Sequence, residues 1–225
     1  MEYTFKNRHN TGQLILRIGE ESFQHFYTSP TYDSKLYTIA WNKGETQTVT
    51  IDEIAYEFAA NAILPIMMSQ SFRFENPANI ISWQFNREFY CIVNHDAEVG
   101  CVGFVFYGPS PTMFVKLEQD HVATMNSLLD VFKEEFLLNE DIKEEMLRML
   151  LVRLIIQITR IAKKQYIETK DASQEKFNII RQYNLLVEIH YRKEHQVQFY
   201  AGLLNKSPKT ISNIFSLYSK KNLSR

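Results

Sequence analysis

The chain has 225 residues, 45% of them hydrophobic and 23% charged, with a net charge of −1. This is ordinary globular material, long enough for one large domain or two modest ones. Its two cysteines, Cys91 and Cys101, lack the CxxC spacing of a metal site, and no apolar leader with a cleavage site precedes Glu2, so a cytoplasmic location is expected. The most apolar run, Met149 to Ile161, is interrupted by Arg153, Gln157 and Arg160 and falls short of the roughly 20 residues a membrane span needs, which excludes a membrane partner.

From Gly12 to Leu117, short apolar and aromatic segments alternate with turn residues. Strands are expected at Leu14 to Ile18, Leu36 to Trp41, Thr46 to Ile51, Ile63 to Met67, Ile80 to Phe85, Phe89 to Val93, Val102 to Tyr107 and Met113 to Leu117. Turn signals fall at Asn42-Lys43-Gly44, Asn76-Pro77, Asn94-His95-Asp96 and Gly108-Pro109. Many short strands with no helical segment between them predict an antiparallel sandwich or barrel. Its aromatics, including Trp41, Trp83, Phe85 and Phe104, are candidates to line an interior that takes a small-molecule effector, although most such residues are plain core in any barrel.

Helices take over after Leu117. Val122, Met125, Leu128, Leu129, Phe132 and Phe136 give one apolar stripe, and Asn139-Glu140-Asp141 supplies a cap and acids for the next helix, Ile142 to about Gln165. Leu147, Leu150, Leu151, Leu154, Ile155, Ile158 and Ile161 make its main stripe, while Met146, Met149, Val152, Ile156 and Ala162 spread apolar surface round much of the rest. A helix apolar nearly all round needs cover on two sides, and a second copy of the chain is the natural second cover. A homodimer is therefore expected, with Leu147, Leu151, Leu154, Ile158 and Ile161 as its contacts; the alternative is that all of this surface is intramolecular core. A linker is expected near residues 166 to 175.

In the last segment, Tyr200, Leu203 and Leu204 recur at helical spacing. Ser207-Pro208 then restarts a helix, Ser as cap and Pro at the first helical position. Ile211, Ile214, Phe215 and Tyr218 form its apolar stripe. The other side carries Lys209, Thr210, Ser212, Asn213 and Ser216, groups of the kinds that reach phosphates and base edges in a major groove. Two short helices and a three-residue turn read as a helix-turn-helix, although capped helix pairs also occur in cores of no special function. From Gln174 to Arg225, nine basic residues face three acidic ones, a charge of +6 against −7 for the remainder, which points to a polyanion as partner of this segment.

The run Tyr200-Ala201-Gly202-Leu203-Leu204-Asn205-Lys206-Ser207-Pro208-Lys209-Thr210-Ile211-Ser212-Asn213-Ile214-Phe215 resembles the first helix-turn-helix of the AraC family of bacterial transcription regulators, and a preceding helix from Phe177 to Arg192 fits the same pattern. Lys206 departs from the apolar residue common in that turn. The resemblance implies a homodimeric regulator that binds double-stranded DNA through Ser207, Lys209, Thr210, Ser212, Asn213 and Ser216. It also implies a second helix-turn-helix joined by a long helix, so a truncated chain with weakened DNA binding is expected. The strand-rich N-terminal part resembles, less specifically, the cupin-like sensor barrels of that family.

Chemistry of other kinds finds little support. A metal cupin would show His-x-His with a Glu on one strand and a further His on another, and His9, His25, His95 and His121 are instead scattered singly. Cys91, His95, Asp96, Glu98 and Cys101 straddle a hairpin and are read as a turn between two cysteines in preference to a thiolate site. With no phosphate loop, nucleophile elbow or HExxH, no enzyme activity, metal or cofactor is expected. The expected fold is α+β: a cupin-like antiparallel barrel over residues 1–118, flanking and dimerisation helices over 119–168, and a partial helix-turn-helix domain over 174–225. The rival is a cupin-like binding or catalytic barrel whose helical tail serves assembly and makes no DNA contact.

Overall fold

The computed structural model describes residues 1–7, 10–21, 23–25, 36–94, 102–108, 112–167 and 171–222, with residues 24, 25, 102, 171–174 and 218–222 described by their backbone alone. Where the chain alternates apolar and polar side chains it forms strands: β1 (Glu2–Lys6), β2 (Gln13–Ile18), β3 (Gln24–His25), β4 (Tyr37–Asn42), β5 (Gln47–Ile51), β6 (Ile54–Phe58), β7 (Ala62–Ile66), β8 (Phe72–Phe74), β9 (Ile80–Phe85) and β10 (Val115–Lys116). All pair antiparallel, in a six-stranded sheet of order β1-β2-β9-β4-β7-β10 and a four-stranded sheet of order β3-β8-β5-β6. Among the described residues the strands thus make a sandwich of two sheets rather than one continuous cylinder.

Two expected strands are absent. At Phe89 to Val93 the chain turns, because the Asn86 side-chain oxygen accepts from both Gln13 N (2.9 Å) and Phe89 N (3.1 Å), while Tyr90 N closes on Asn86 O at 3.1 Å. A side chain that holds its own downstream backbone competes with the strand ladder. At Val102 to Tyr107 a 3₁₀ turn, Val102–Phe104, is followed by Tyr107 N donating to Gly103 O at 2.8 Å, so this apolar run coils.

The register divides the six-stranded sheet into two faces. Ile39 opposes Trp83, Trp41 opposes Ile81, Tyr37 opposes Phe85 and Leu16 opposes Trp83, so these residues share one side. Thr38, Ala40, Ser82, Gln84, Leu64 and Ile66 share the other. This second side meets the four-stranded sheet, where Ala40, Leu64, Ile66 and Ile80 pack with Val49, Ile51, Phe58, Phe72 and Phe74 in one buried cluster. The first side is covered by helix α1 (Gln119–Leu137), whose Phe132 ring lies 5.8 Å from Trp83 and whose Phe136 lies 5.8 Å from Tyr3.

Helix α2 (Lys143–Tyr166) follows, with Glu144 and Glu145 in its first turn and Lys163 and Lys164 in its last, each charge suited to its end of the helix dipole. The burial of its faces corrects the expected dimer contacts. Leu147, Leu151, Leu154 and Ile158 have no exposed surface and Ile161 is 7% exposed, so the main stripe is core of the chain itself. The surface left outside is the lesser stripe, with Ile142 63%, Met146 41% and Met149 67% exposed.

Compactness groups the chain into two units: Met1–Cys91 with Phe114–Ile158, and Ile92–Met113 with Thr159–Arg225. The second unit contains α3 (Asp171–His190), α4 (Val197–Leu203) and α5 (Pro208–Asn222). From Asp171 on, the stretch expected as linker is helix, since it has no Gly or Pro and opens with an acid at its start; residues 168–170 lie outside the described residues. Within this unit the Phe104 ring stacks on Phe177 at 4.2 Å and 12°, Lys163 Nζ sits 5.7 Å over Phe104, and Asn184 Nδ2 donates to the carbonyls of Tyr107 and Gly108 at 3.0 and 3.2 Å.

Candidate nucleic-acid interface

The three helices α3, α4 and α5 share a small core built from Ile179, Ile180, Ala201, Ile211 and Ile214, with Tyr183, Leu204 and Phe215 at its margin. Ala201 is the small residue that lets the helices approach closely, and it has no exposed surface. Tyr183 joins all three, its ring 5.4 Å from Tyr200 and 5.2 Å edge-on from Phe215. The Tyr200 hydroxyl donates to Glu194 O at 2.6 Å, which ties the start of α4 to the loop before it.

The turn between α4 and α5 closes on backbone bonds. Leu204 N donates to Tyr200 O (3.2 Å), Asn205 N to Gly202 O (3.0 Å) and Lys206 N to Ala201 O (2.9 Å), with Asn205 at φ 52° in the left-handed conformation that Asn tolerates better than most residues. Ser207 then caps α5, its hydroxyl accepting from Thr210 N at 3.1 Å and lying 2.8 Å from Thr210 Oγ1. Pro208 follows at the first helical position, where a missing N–H is harmless. In the same turn Lys206 sets its Nζ 3.5 Å from the Glu175 carboxylate.

This frame fixes which way α5 faces. Ile211 and Ile214 point inward at 2% and 6% exposure, and Ser207, Lys209, Thr210, Ser212, Asn213 and Ser216 are all exposed. Lys209, Ser212, Asn213 and Ser216 fall within roughly 100° of arc on the side away from the core. The hydroxyls of Ser207 and Thr210 are engaged with each other, and that of Ser216 donates to Asn213 O at 2.9 Å. Among the described residues, the side chains of Lys209, Ser212 and Asn213 make no hydrogen bond. The face therefore offers a cation, a hydroxyl and an amide free to meet a ligand, on an element long enough to lie in a groove.

The aromatic residues expected to line the sandwich divide otherwise. Trp41, Trp83 and Phe85 are fully buried on the outer side of the six-stranded sheet, the side turned away from the inter-sheet cluster, and Phe104 belongs to the second unit. The alternation of β4 and β9 sends these aromatics outward and brings Thr38, Ser82 and Gln84 between the sheets. There Gln84 Nε2 donates to Thr38 Oγ1 at 2.8 Å, Arg17 donates to the Gln84 side-chain oxygen, and Ser82 Oγ is buried with no hydrogen-bond partner. Reading the phase of the two strands together would have found this polar strip; attention to aromatic bulk passed over it. Of the Cys91 cluster, Cys91 is half-buried, and His95, Asp96, Glu98 and Cys101 lie outside the described residues. No helix among the described residues is long and apolar enough to cross a membrane.

No family model matches the sequence, and no curated protein matches it. Among solved structures the chain is similar to the AraC-like transcriptional activator CuxR, at 8% identity over 94% of this chain and 72% of that one, with a TM-score of 0.37. It is also similar to ToxT from Vibrio cholerae, at 9% identity over 96% of this chain and 92% of that one, with a TM-score of 0.30.

Proposed function

We propose that the chain is a DNA-binding transcription regulator of the AraC type that works as a homodimer, lays α5 in the major groove of double-stranded DNA and takes a small-molecule effector between its two sheets. What carries the reading is the division of α5: its apolar side is locked into the three-helix core while Lys209, Ser212 and Asn213 stand exposed and unengaged on the opposite side. The +6 charge of residues 174–225 supports a polyanionic partner. In this reading Lys209 neutralises a phosphate and Asn213 reads an adenine edge through its amide, a bidentate pair that discriminates by about 1–3 kcal/mol. Ser212 and Ser216 border them, and Ser207 and Thr210 hold the helix start against the backbone. The effector's polar groups would meet Thr38, Ser82 and Gln84, because those side chains are buried on the face turned to the four-stranded sheet and Ser82 Oγ is unsatisfied there.

Selection of bound sequences from a random duplex pool, followed by anisotropy titration of the enriched duplex at several salt concentrations, tests the DNA reading. Lys209→Ala is expected to lower the slope of log affinity against log salt by about 0.9. Asn213→Ala is expected to relax preference at one base pair while leaving that slope unchanged. A pool with no enriched sequence, and equal binding by both variants and the parent, would overturn the assignment.

A further inference from the structure

We propose that Leu217 is a specificity-determining residue of the DNA interface: it meets the 5-methyl group of a thymine about two base pairs from the pair that Asn213 reads. The inference rests on the DNA-binding reading above and adds to it a base, a position and a chemistry. Among the described side chains of α5, Leu217 is the one large apolar group left exposed, at 50% against 2% for Ile211 and 6% for Ile214. A single exposed leucine is ordinary on a protein surface. Its place on the helix is what gives this one a role.

Positions four apart on an α-helix form a ridge, each advanced by about 40° around the axis and about 6 Å along it. Lys209, Asn213 and Leu217 make one such ridge, and all three are exposed. From one end to the other the ridge presents a cation, an amide and an apolar branch. B-DNA advances by about 3.4 Å per base pair, so the step from Asn213 to Leu217 spans about two base pairs. In the major groove the base edges present hydrogen-bond donors and acceptors, and their apolar group is the thymine methyl. Set against a polar edge, the leucine would displace water and leave a donor or acceptor unpaired; set against the methyl, it buries apolar surface on both sides. Attraction to one base and a penalty against the others act together, which is how a contact of this kind discriminates.

Deoxyuridine in place of thymidine deletes that methyl and nothing else, which makes it the probe. In the duplex enriched from the random pool, the pair read by Asn213 is the one whose preference Asn213→Ala relaxes. Each thymine within about three base pairs of it, on either strand, is replaced in turn, and anisotropy gives the affinity of the parent, Leu217→Ala and Leu217→Met. At one thymine the parent is expected to lose about fourfold in affinity, the worth of one buried methyl. Leu217→Ala is expected to bind the thymine and uracil duplexes alike, and Leu217→Met to keep the discrimination. The salt slope is expected to be the same for all three, because no charge changes. Leu217 lies outside the three-helix core, and circular dichroism checks that each variant keeps its helices. A parent that enriches no sequence overturns the DNA-binding reading and this inference with it. An enriched sequence without thymine in that window overturns the role of Leu217 alone. So does a uracil scan that costs the parent and Leu217→Ala the same at every position, including the case in which Leu217→Ala weakens all duplexes equally.

Discussion

Tyr183 shows how one side chain makes the helical unit sensitive to alkali. It lies where α3, α4 and α5 meet, against Tyr200 and Phe215, and burial, reinforced by the neighbouring Tyr200, holds its hydroxyl above the ordinary tyrosine value. The folded state therefore keeps this proton more firmly than the unfolded chain does. Below pH about 10 both states are protonated and the stabilisation is fully present; above it the unfolded chain releases its proton first and stability falls as pH rises. Thermal melts followed by helical circular dichroism should show a steeper alkaline loss for the parent than for Tyr183→Phe, and identical slopes would remove Tyr183 as the cause. At the other end of the same core, Ser207→Ala removes the acceptor for Thr210 N and is expected to cost about 1 kcal/mol, read as a lower denaturation midpoint. That cap was legible in the sequence because Ser-Pro before an apolar stripe has one favourable reading. The environment of Tyr183 was not, because it depends on a helix more than ten residues away in the chain.

Elements were legible in proportion to how strongly their own residues specify them. β2, β4, β5, β7 and β9 fall where alternation and turn signals place them, α1 where an apolar period runs, and α2 and α5 where capping residues precede one. β6 escaped because its hairpin hides its turn. Ile51 opposes Ile54 across a two-residue loop, Asp52-Glu53, whose residues have φ of 46° and 70°, a turn that normally advertises itself with Asn-Gly or Asp-Gly. The Asp52 carboxylate offsets part of that strain by accepting from Ser71 N at 2.8 Å and from Ser71 Oγ at 3.2 Å. Glu53 is exposed and, among the described residues, has no such compensation, so Glu53→Gly is expected to stabilise the protein by roughly 0.5–1 kcal/mol in a urea titration. A neutral or unfavourable result would mean that the carboxylate contributes more than the backbone strain costs. In α2 the period was legible but the assignment of its faces was not. Two apolar stripes on one helix both call for cover, and only the packing of the whole chain decides which is met from within.

At the scale of the molecule, the second unit draws on two stretches that are distant in sequence. Residues 92–113 leave the chain between β9 and β10, yet they group with α3, and the reason lies in three contacts: the Phe104–Phe177 stack, the Lys163 ammonium over Phe104, and the two bonds from the Asn184 amide to the carbonyls of Tyr107 and Gly108. Contiguous segments were all that the sequence reading could offer, since a run of apolar residues between two strands looks like a third strand until its partner is known. Gly108 belongs to the same arrangement, because an added Cβ would stand 2.8 Å from Phe104 O and 3.3 Å from the Phe177 ring. Helix α5 is thus held by a helix whose other side is held by residues 103–108, and loosening that segment should be felt in α3. Phe104→Ala deletes a buried ring of 1% exposure and is expected to cost about 3–5 kcal/mol, confined to the second unit. Gly108→Ala should act in the same direction through crowding rather than a cavity. Amide hydrogen exchange separates these effects by region: α3 and the turn at 103–107 should lose protection in both variants while β2, β4 and β9 retain theirs. Equal loss of protection in α3 and β9 would mean that the two units unfold as one, and unchanged protection in α3 would mean that the stacked ring contributes nothing to holding the helix that carries α4 and α5.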